Sequence, residues 1–397
     1  MTRFKRRILV GALVLVLILV GLVFFFYRPT QLALERAEAF QFRRMVVARM
    51  AEQGAYRFFY ATNRRLESED GPLEERFGNQ RQEALQFGLF DTRLEPSLGI
   101  GMIINPTDWF QNEEIKLKQV APLEQGEFVA QVRRQVQASP LRALLVNVNG
   151  FRERFPSALR KTAFLGHVLD IDAPVMVFDW PGDQGSTLRG YRRAKRIAGE
   201  SGEQLARVLE LIVRQVQPER LWLVANSMGA QVVVHAFSTL YREADMADAV
   251  TEIENVVLTA PDVDKEEFND QFKREILALA RNLTVYVSSN DRALLMSRVI
   301  NRSRRLGEST LNPENPDQFE AADGIFSLVE PNDDLITLVD VTPVNRTRNF
   351  HNFSLETPEF FDDLFLRLAN VDRPLSRPEY RMETPGGKVY WILTRGR

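Results

Sequence analysis

The chain has 397 residues, 45% hydrophobic and 26% charged, with 51 basic against 53 acidic side chains for a net charge of −2. These fractions exclude a disordered or low-complexity polymer, and the charge balance gives no electrostatic footprint for nucleic acid. With no Cys at all, disulfides, thiolate metal sites and a cysteine nucleophile are excluded, and only three His leave few imidazole candidates for a general base or metal ligand.

Residues Ile8 to Tyr27 form twenty positions without a charge, preceded by Arg3, Lys5, Arg6 and Arg7. A helix of that length spans about 30 Å, the thickness of a hydrocarbon core. The run ends in Phe24, Phe25, Phe26 and Tyr27, an interfacial aromatic cluster. It is longer than the apolar core of a cleavable signal peptide, the rival reading. The expectation is a single-pass anchor over residues 8–27, N-terminus inside and the remainder outside. Residues 1–29 form the basic segment and anchor.

Leu34, Ala37, Phe40, Val47 and Met50 recur at roughly helical spacing, and the stretch 31–66 carries no Pro. A helical stalk and linker is expected over 30–80, with Glu67 to Gln80 an exposed loop. Short strands are expected at Gly99–Ile104 and Ile115–Val120. From Leu141 the pattern changes to apolar runs alternating with helical stretches. Strands are predicted at Leu144–Val148, Val175–Phe178, Leu221–Val224, Val256–Thr259, Leu283–Val287 and Leu335–Val339. Helices are predicted at Pro156–Leu169, Glu203–Val216 and Ala230–Tyr241. Strands without polar alternation, separated by helices, indicate an α/β domain with a doubly wound, mostly parallel sheet, placed at 81–370. The polar stretch 301–334 reads as a long insertion, either a solvated loop or a lid at the substrate rim. Residues 371–397 read as a hairpin tail around Pro385-Gly386-Gly387.

In such sheets function gathers at the carboxyl ends of the strands. After Leu221–Val224 comes Ala225-Asn226-Ser227-Met228-Gly229, then an apolar helix. Small-x-Ser-x-Gly between strand and helix is a nucleophile elbow: the turn is sharp, so the residues two before and two after the Ser must be small. Ser227 needs a base. His235 lies eight residues on in the same predicted helix, roughly 12 Å along its axis, too far to reach. His167 lies at the far end of its helix, toward the amino edge of the sheet. His351 follows the last central strand, on the right edge and in the Ser…Asp…His order. Two acids compete to orient it: Asp291, in Ser288-Ser289-Asn290-Asp291, and Asp262, in Ala260-Pro261-Asp262-Val263-Asp264. Asp291 is the favoured one. Either can instead serve as a helix N-cap. The N–H groups of Met228 and Phe151, the latter in Asn149-Gly150-Phe151, are the expected oxyanion donors.

These residues resemble the α/β-hydrolase superfamily, and more closely a bacterial esterase/lipase-like group, domain of unknown function 900. The resemblance runs from about Tyr56 to Leu368. It rests on Tyr60-Ala61-Thr62-Asn63-Arg64, Asn149-Gly150-Phe151, Asp179-Trp180-Pro181 with Gly185 and Tyr191, Asn226-Ser227-Met228-Gly229, Ala260-Pro261-Asp262-Val263-Asp264, Asn290-Asp291-Arg292-Ala293-Leu294, and His351. It implies the triad Ser227, Asp291 and His351. That group commonly has His where this chain has Asn149 and Asn226. The expectation is a serine hydrolase of a bacterial inner membrane, its catalytic domain periplasmic or extracytoplasmic. It would act on a small-molecule or lipid-like acyl substrate without metal or organic cofactor. The alternative is a catalytically silent scaffold or binding module, which the two Asn positions favour.

Overall fold

The computed structural model describes residues 15–17, 55–94, 115–169, 171–243, 253–308, 336–347, 350–369, 379–383 and 389–394. Of the expected anchor over 8–27 only residues 15–17 are among them, and these are helical. Among the described residues no helix is long and apolar enough to cross a membrane. The expected strand at Gly99–Ile104, the part of the polar insertion at 309–334 and the turn Pro385-Gly386-Gly387 lie outside the described residues.

One eleven-stranded sheet organises the described chain, in the order β10-β11-β9-β8-β7-β6-β4-β5-β1-β2-β3. Its strands are β1 (Ala55–Leu66), β2 (Phe77–Leu94), β3 (Ile115–Leu123), β4 (Ala143–Val148), β5 (Val175–Asp179) and β6 (Arg220–Asn226). They continue with β7 (Ile253–Thr259), β8 (Ala280–Val287), β9 (Ile336–Asp340), β10 (Glu379–Glu383) and β11 (Val389–Leu393). Every pairing from β11 across to β1 is parallel, while β10 at one edge and β2 and β3 at the other pair antiparallel. The helices are α1 (Leu73–Arg76), α2 (Gln125–Ala138), α3 (Phe155–Leu169), α4 (Leu188–Leu211), α5 (Gly229–Arg242), α6 (Lys273–Leu279), α7 (Arg292–Asn301), α8 (Phe353–Glu356) and α9 (Pro358–Ala369).

The central strands are mostly buried, β4 and β5 at every position, because helices cover both faces. One core joins Leu144, Val146 and Leu223 to Val132 of α2, Leu205 of α4, Phe237 of α5 and Ile276 of α6. The other joins Leu145, Val177 and Trp222 to Phe164 of α3 and Leu364 of α9.

Two expectations are corrected. The helical stalk does not extend to residue 66, because Ala55–Leu66 is β1, held between β5 and β2. The sheet therefore begins 26 residues before the expected domain boundary at 81. The run Tyr56-Arg57-Phe58-Phe59-Tyr60 is rich in aromatic residues, which fit a sheet buried on both faces, and Phe58, Phe59, Tyr60 and Ala61 are all buried. The exposed loop expected at 67–80 ends early: Phe77 opens β2, buried against Phe155 with ring centroids 4.4 Å apart. At the C-terminus β10 and β11 do pair as a hairpin, but β11 also adds in parallel to β9 and so extends the main sheet.

Candidate active site

β6 delivers the chain into α5 through a single strained residue. Ser227 has φ of +53°, a conformation that costs a non-glycine residue about 1–3 kcal/mol. The surrounding backbone holds it there. The Ser227 N–H donates to the Thr259 carbonyl at 2.9 Å, and its own carbonyl accepts from Ala230 at 3.1 Å and Asp262 at 3.0 Å. The close approach explains the small residues of the motif. A Cβ at Gly229 would lie 2.5 Å from the Val148 carbonyl oxygen and 2.7 Å from that of Asn149.

Three side chains converge at the carboxyl edge. The Ser227 Oγ lies 2.9 Å from Nε2 of His351, and Nδ1 of His351 lies 2.6 Å from Oδ2 of Asp291. Asp291 does both jobs between which its sequence position left a choice. Its Oδ1 caps α7 by accepting from the Leu294 N–H at 2.9 Å, while Oδ2 faces the imidazole. Asp262 is turned elsewhere. Its carboxylate accepts from Tyr191 at 2.8 Å, from Ser297 at 2.5 Å and from the wholly buried Arg305 at 2.8 Å. Burial pulls the His351 imidazole down, but the Asp291 charge and hydrogen bond, helped by Asp262, outweigh it and leave the pKa above 6.5.

Asn345 escaped the sequence reading. Fully buried, it donates to the Phe350 carbonyl at 2.6 Å and to Ser288 Oγ at 2.8 Å, and accepts from Thr347 at 2.8 Å. It thereby ties the loop that carries His351 to the loop that carries Asp291. Phe350, just before the histidine, has φ of +54° and lies under the Arg292 guanidinium. The available signal was an Asn in a turn, Thr342-Pro343-Val344-Asn345, which names a turn but not its partners.

The Asn149-Gly150-Phe151 turn abuts the elbow. A Cβ at Gly150 would lie 3.0 Å from Cβ of Ser227. The turn is anchored by Trp180, whose Nε1 donates to the Asn149 carbonyl at 2.8 Å. Next to it, buried Arg64 binds Asp179 through Nε at 2.6 Å and the carbonyls of Glu153 and Trp180 at 2.6 and 2.7 Å. Asn226 donates to Thr259 and Ser354, both at 3.0 Å, and Asn149 to the Ala158 carbonyl at 3.2 Å, so both amides are partnered. They line a cavity beside the elbow whose walls are mixed, with Asn147, Thr259 and Ser354 but also Leu165, Val224 and Phe360. The other two histidines stay away. His167 ends α3 beside Tyr56, and His235 bonds Gln231 within α5. Among the described residues no group of His, Asp and Glu could hold a metal ion.

The family model described as "Alpha/beta hydrolase of unknown function (DUF900)" matches residues 124–364. No curated protein matches the chain. Among solved structures, a C6-C4 SN3 inhibited esterase B from Lactobacillus rhamnosis is similar at 11% identity and a TM-score of 0.34. That match covers 81% of this chain and 91% of the esterase.

Proposed function

Because the chain belongs to this family of alpha/beta hydrolases, matched over more than half its length, we propose that it is a membrane-anchored serine hydrolase that cleaves an acyl ester or related acyl bond through an acyl-enzyme. The observation that carries the reading is the unbroken hydrogen-bonded line from Ser227 through His351 to Asp291. In that line the carboxylate accepts from Nδ1–H, which leaves Nε2 as the lone pair facing the serine hydroxyl. Ser227 Oγ attacks the acyl carbonyl while its proton passes to Nε2. The N–H groups of Met228 and Phe151 stabilise the tetrahedral oxyanion. The imidazolium then protonates the departing alkoxide, leaving an acyl-Ser227 ester. Water gives its proton to Nε2 and attacks that ester, and as the acid is released the imidazolium returns a proton to Ser227 Oγ. The Asp291 carboxylate stabilises the imidazolium.

The silent-scaffold alternative draws its support from Asn149 and Asn226. Both are hydrogen-bonded beside the elbow, and neither lengthens the Ser227–His351 contact, which favours the enzyme. The anchor and its orientation rest on residues 8–27 and the basic residues before them. The test is fluorophosphonate labelling of membrane fractions containing the full chain. Wild type should be labelled and Ser227→Ala should not. An unlabelled, folded wild type would return the reading to the scaffold.

A further inference from the structure

α7 is partly polar on its inward face. That face carries Leu294 and Ile300, which pack against the core, but also Ser297, 3% exposed, and the half-buried Asn301, both hydrogen-bonded to Tyr191. Its outward face carries Leu295, Met296 and Val299 at 51%, 61% and 67% exposure. Surface helices normally do the reverse, so a row of three large apolar side chains directed at water requires an explanation. The N-cap of the helix is Asp291, so α7 begins at the residue that faces His351.

α4 continues the surface. Tyr191 and Lys195 reach across to Ser297 and Asn301 of α7. One turn before Tyr191 and Lys195 stand Leu188, 46% exposed, and Arg192, also exposed. Residues 184–199 and 292–307 hold ten Arg and Lys between them and no Asp or Glu, although Glu200 and Glu308, which follow them, lie 3.4 and 3.8 Å from Arg196 and Arg298, and Arg305 is buried against Asp262. Arg189, Arg193, Arg298, Arg302 and Arg304 are exposed in addition to Arg192. In a chain of net charge −2, this concentration of cations around exposed Leu, Met and Val is local to one rim.

We infer that the face formed by α7 and the start of α4 docks on a lipid bilayer with an anionic surface. Apolar side chains enter the acyl boundary while flanking arginines pair with lipid headgroups, the arrangement of an interfacial amphipathic helix. Chain length permits it. Residues 28–54 separate the apolar run 8–27 from β1, 27 residues that span about 40 Å as the expected helix and at most about 90 Å extended. Either exceeds the length of the central strands β4 to β9, at most eight residues each, so a chain entering at the amino edge still allows the carboxyl edge to meet the membrane.

The absence of Cys permits a direct test on the full chain. Val299→Cys and, on the distant edge strand β3, Lys118→Cys each give a single site for an environment-sensitive fluorophore. The protein is reconstituted in phosphatidylcholine vesicles with or without 30% phosphatidylglycerol, containing lipids with a nitroxide high on the acyl chain. The label at 299 should blue-shift and be quenched at least threefold in the anionic vesicles. It should be quenched less without the anionic lipid or in 0.5 M salt, where charges are screened within about 3–5 Å. The label at 118 should not respond. Arg192→Glu combined with Arg302→Glu should abolish the quenching at an unchanged melting temperature. A label at 299 that iodide reaches equally with and without lipid overturns the inference. So does one already shielded without lipid, which would assign the face to residues 309–335 or to a second copy of the chain. Fluorophosphonate labelling of Ser227, read separately, keeps the hydrolase reading apart from this result.

Discussion

Asp291 and Asp262 occupy equivalent strand ends and differ in what they touch, so replacing each by Asn should separate activity from stability. At Asp291 the Oδ1 that caps α7 survives as the amide oxygen, and Asn caps as well as Asp. The amide nitrogen then faces Nδ1 of His351, which favours the tautomer carrying its proton on Nε2, where Ser227 needs an acceptor. In a serine protease that change costs about 10⁴ in turnover. At 1.36 kcal/mol per decade this is about 5 kcal/mol of lost transition-state stabilisation, at little cost to the fold. At Asp262 the carboxylate is the partner of Arg305, which is fully buried. Removing one member of a buried pair costs about 3–5 kcal/mol, or on the order of 10 °C in Tm for a domain of this size. The backbone bond from the Asp262 N–H to the Ser227 carbonyl does not depend on that side chain, so turnover in the cold should stay within about tenfold of wild type. The assay pairs hydrolysis of a p-nitrophenyl ester at 10 °C, or the rate of fluorophosphonate labelling, with thermal denaturation. Equal losses of turnover in both variants at 10 °C would refute the assignment of Asp291 as the residue that orients His351.

Two further expectations concern pH. His351 must be neutral to accept the serine proton, so kcat/KM should fall with acid, and its acid limb should lie above 6.5 because Asp291 holds the pKa up. Stability runs the other way for this residue. A raised folded pKa contributes stability that is full below 6.5 and disappears as pH rises through the folded value. His167 has the opposite sign. Burial lowers it to about 4, so between about 6.5 and 4 the unfolded chain binds a proton that the folded chain refuses. That loss is worth about 3 kcal/mol at 1.36 kcal/mol per unit. His167→Phe should flatten the acid side of a stability-against-pH curve, and an unchanged acid slope would contradict this.

How much of this was legible depended on range. The elbow could be read because its constraints are local: strand, small residue, Ser, Gly and helix follow one another within a few positions. His351 followed by elimination among three histidines and by the direction of the strands. The choice between Asp291 and Asp262 was weaker, because each ends a strand on the same edge and each precedes helical sequence. In the structure Tyr191, Ser297 and Arg305, the last 43 residues after Asp262, occupy that carboxylate, and no local pattern announces them. β1 was misread for a similar reason. Alternation and propensity over 55–66 cannot reveal that β5, more than a hundred residues later, will bury one edge of the strand. Asn345 illustrates the limit, since a buried amide bonded to two separate loops leaves no periodic trace.

The position of β1 next to β5 has a consequence for synthesis. As the chain emerges, β1, β2 and β3 can pair with one another at once through short-range antiparallel contacts. The other edge of β1 must wait until Val175–Asp179 has been made. During that interval an aromatic strand lacks the native partner for one edge, and an unpaired edge of that kind is a template for association with a neighbouring chain. Arg64 waits for the same event, because Asp179 is 115 residues downstream. The ion pair therefore links a strand made early to one made late, and it cannot form until Asp179 has been synthesised.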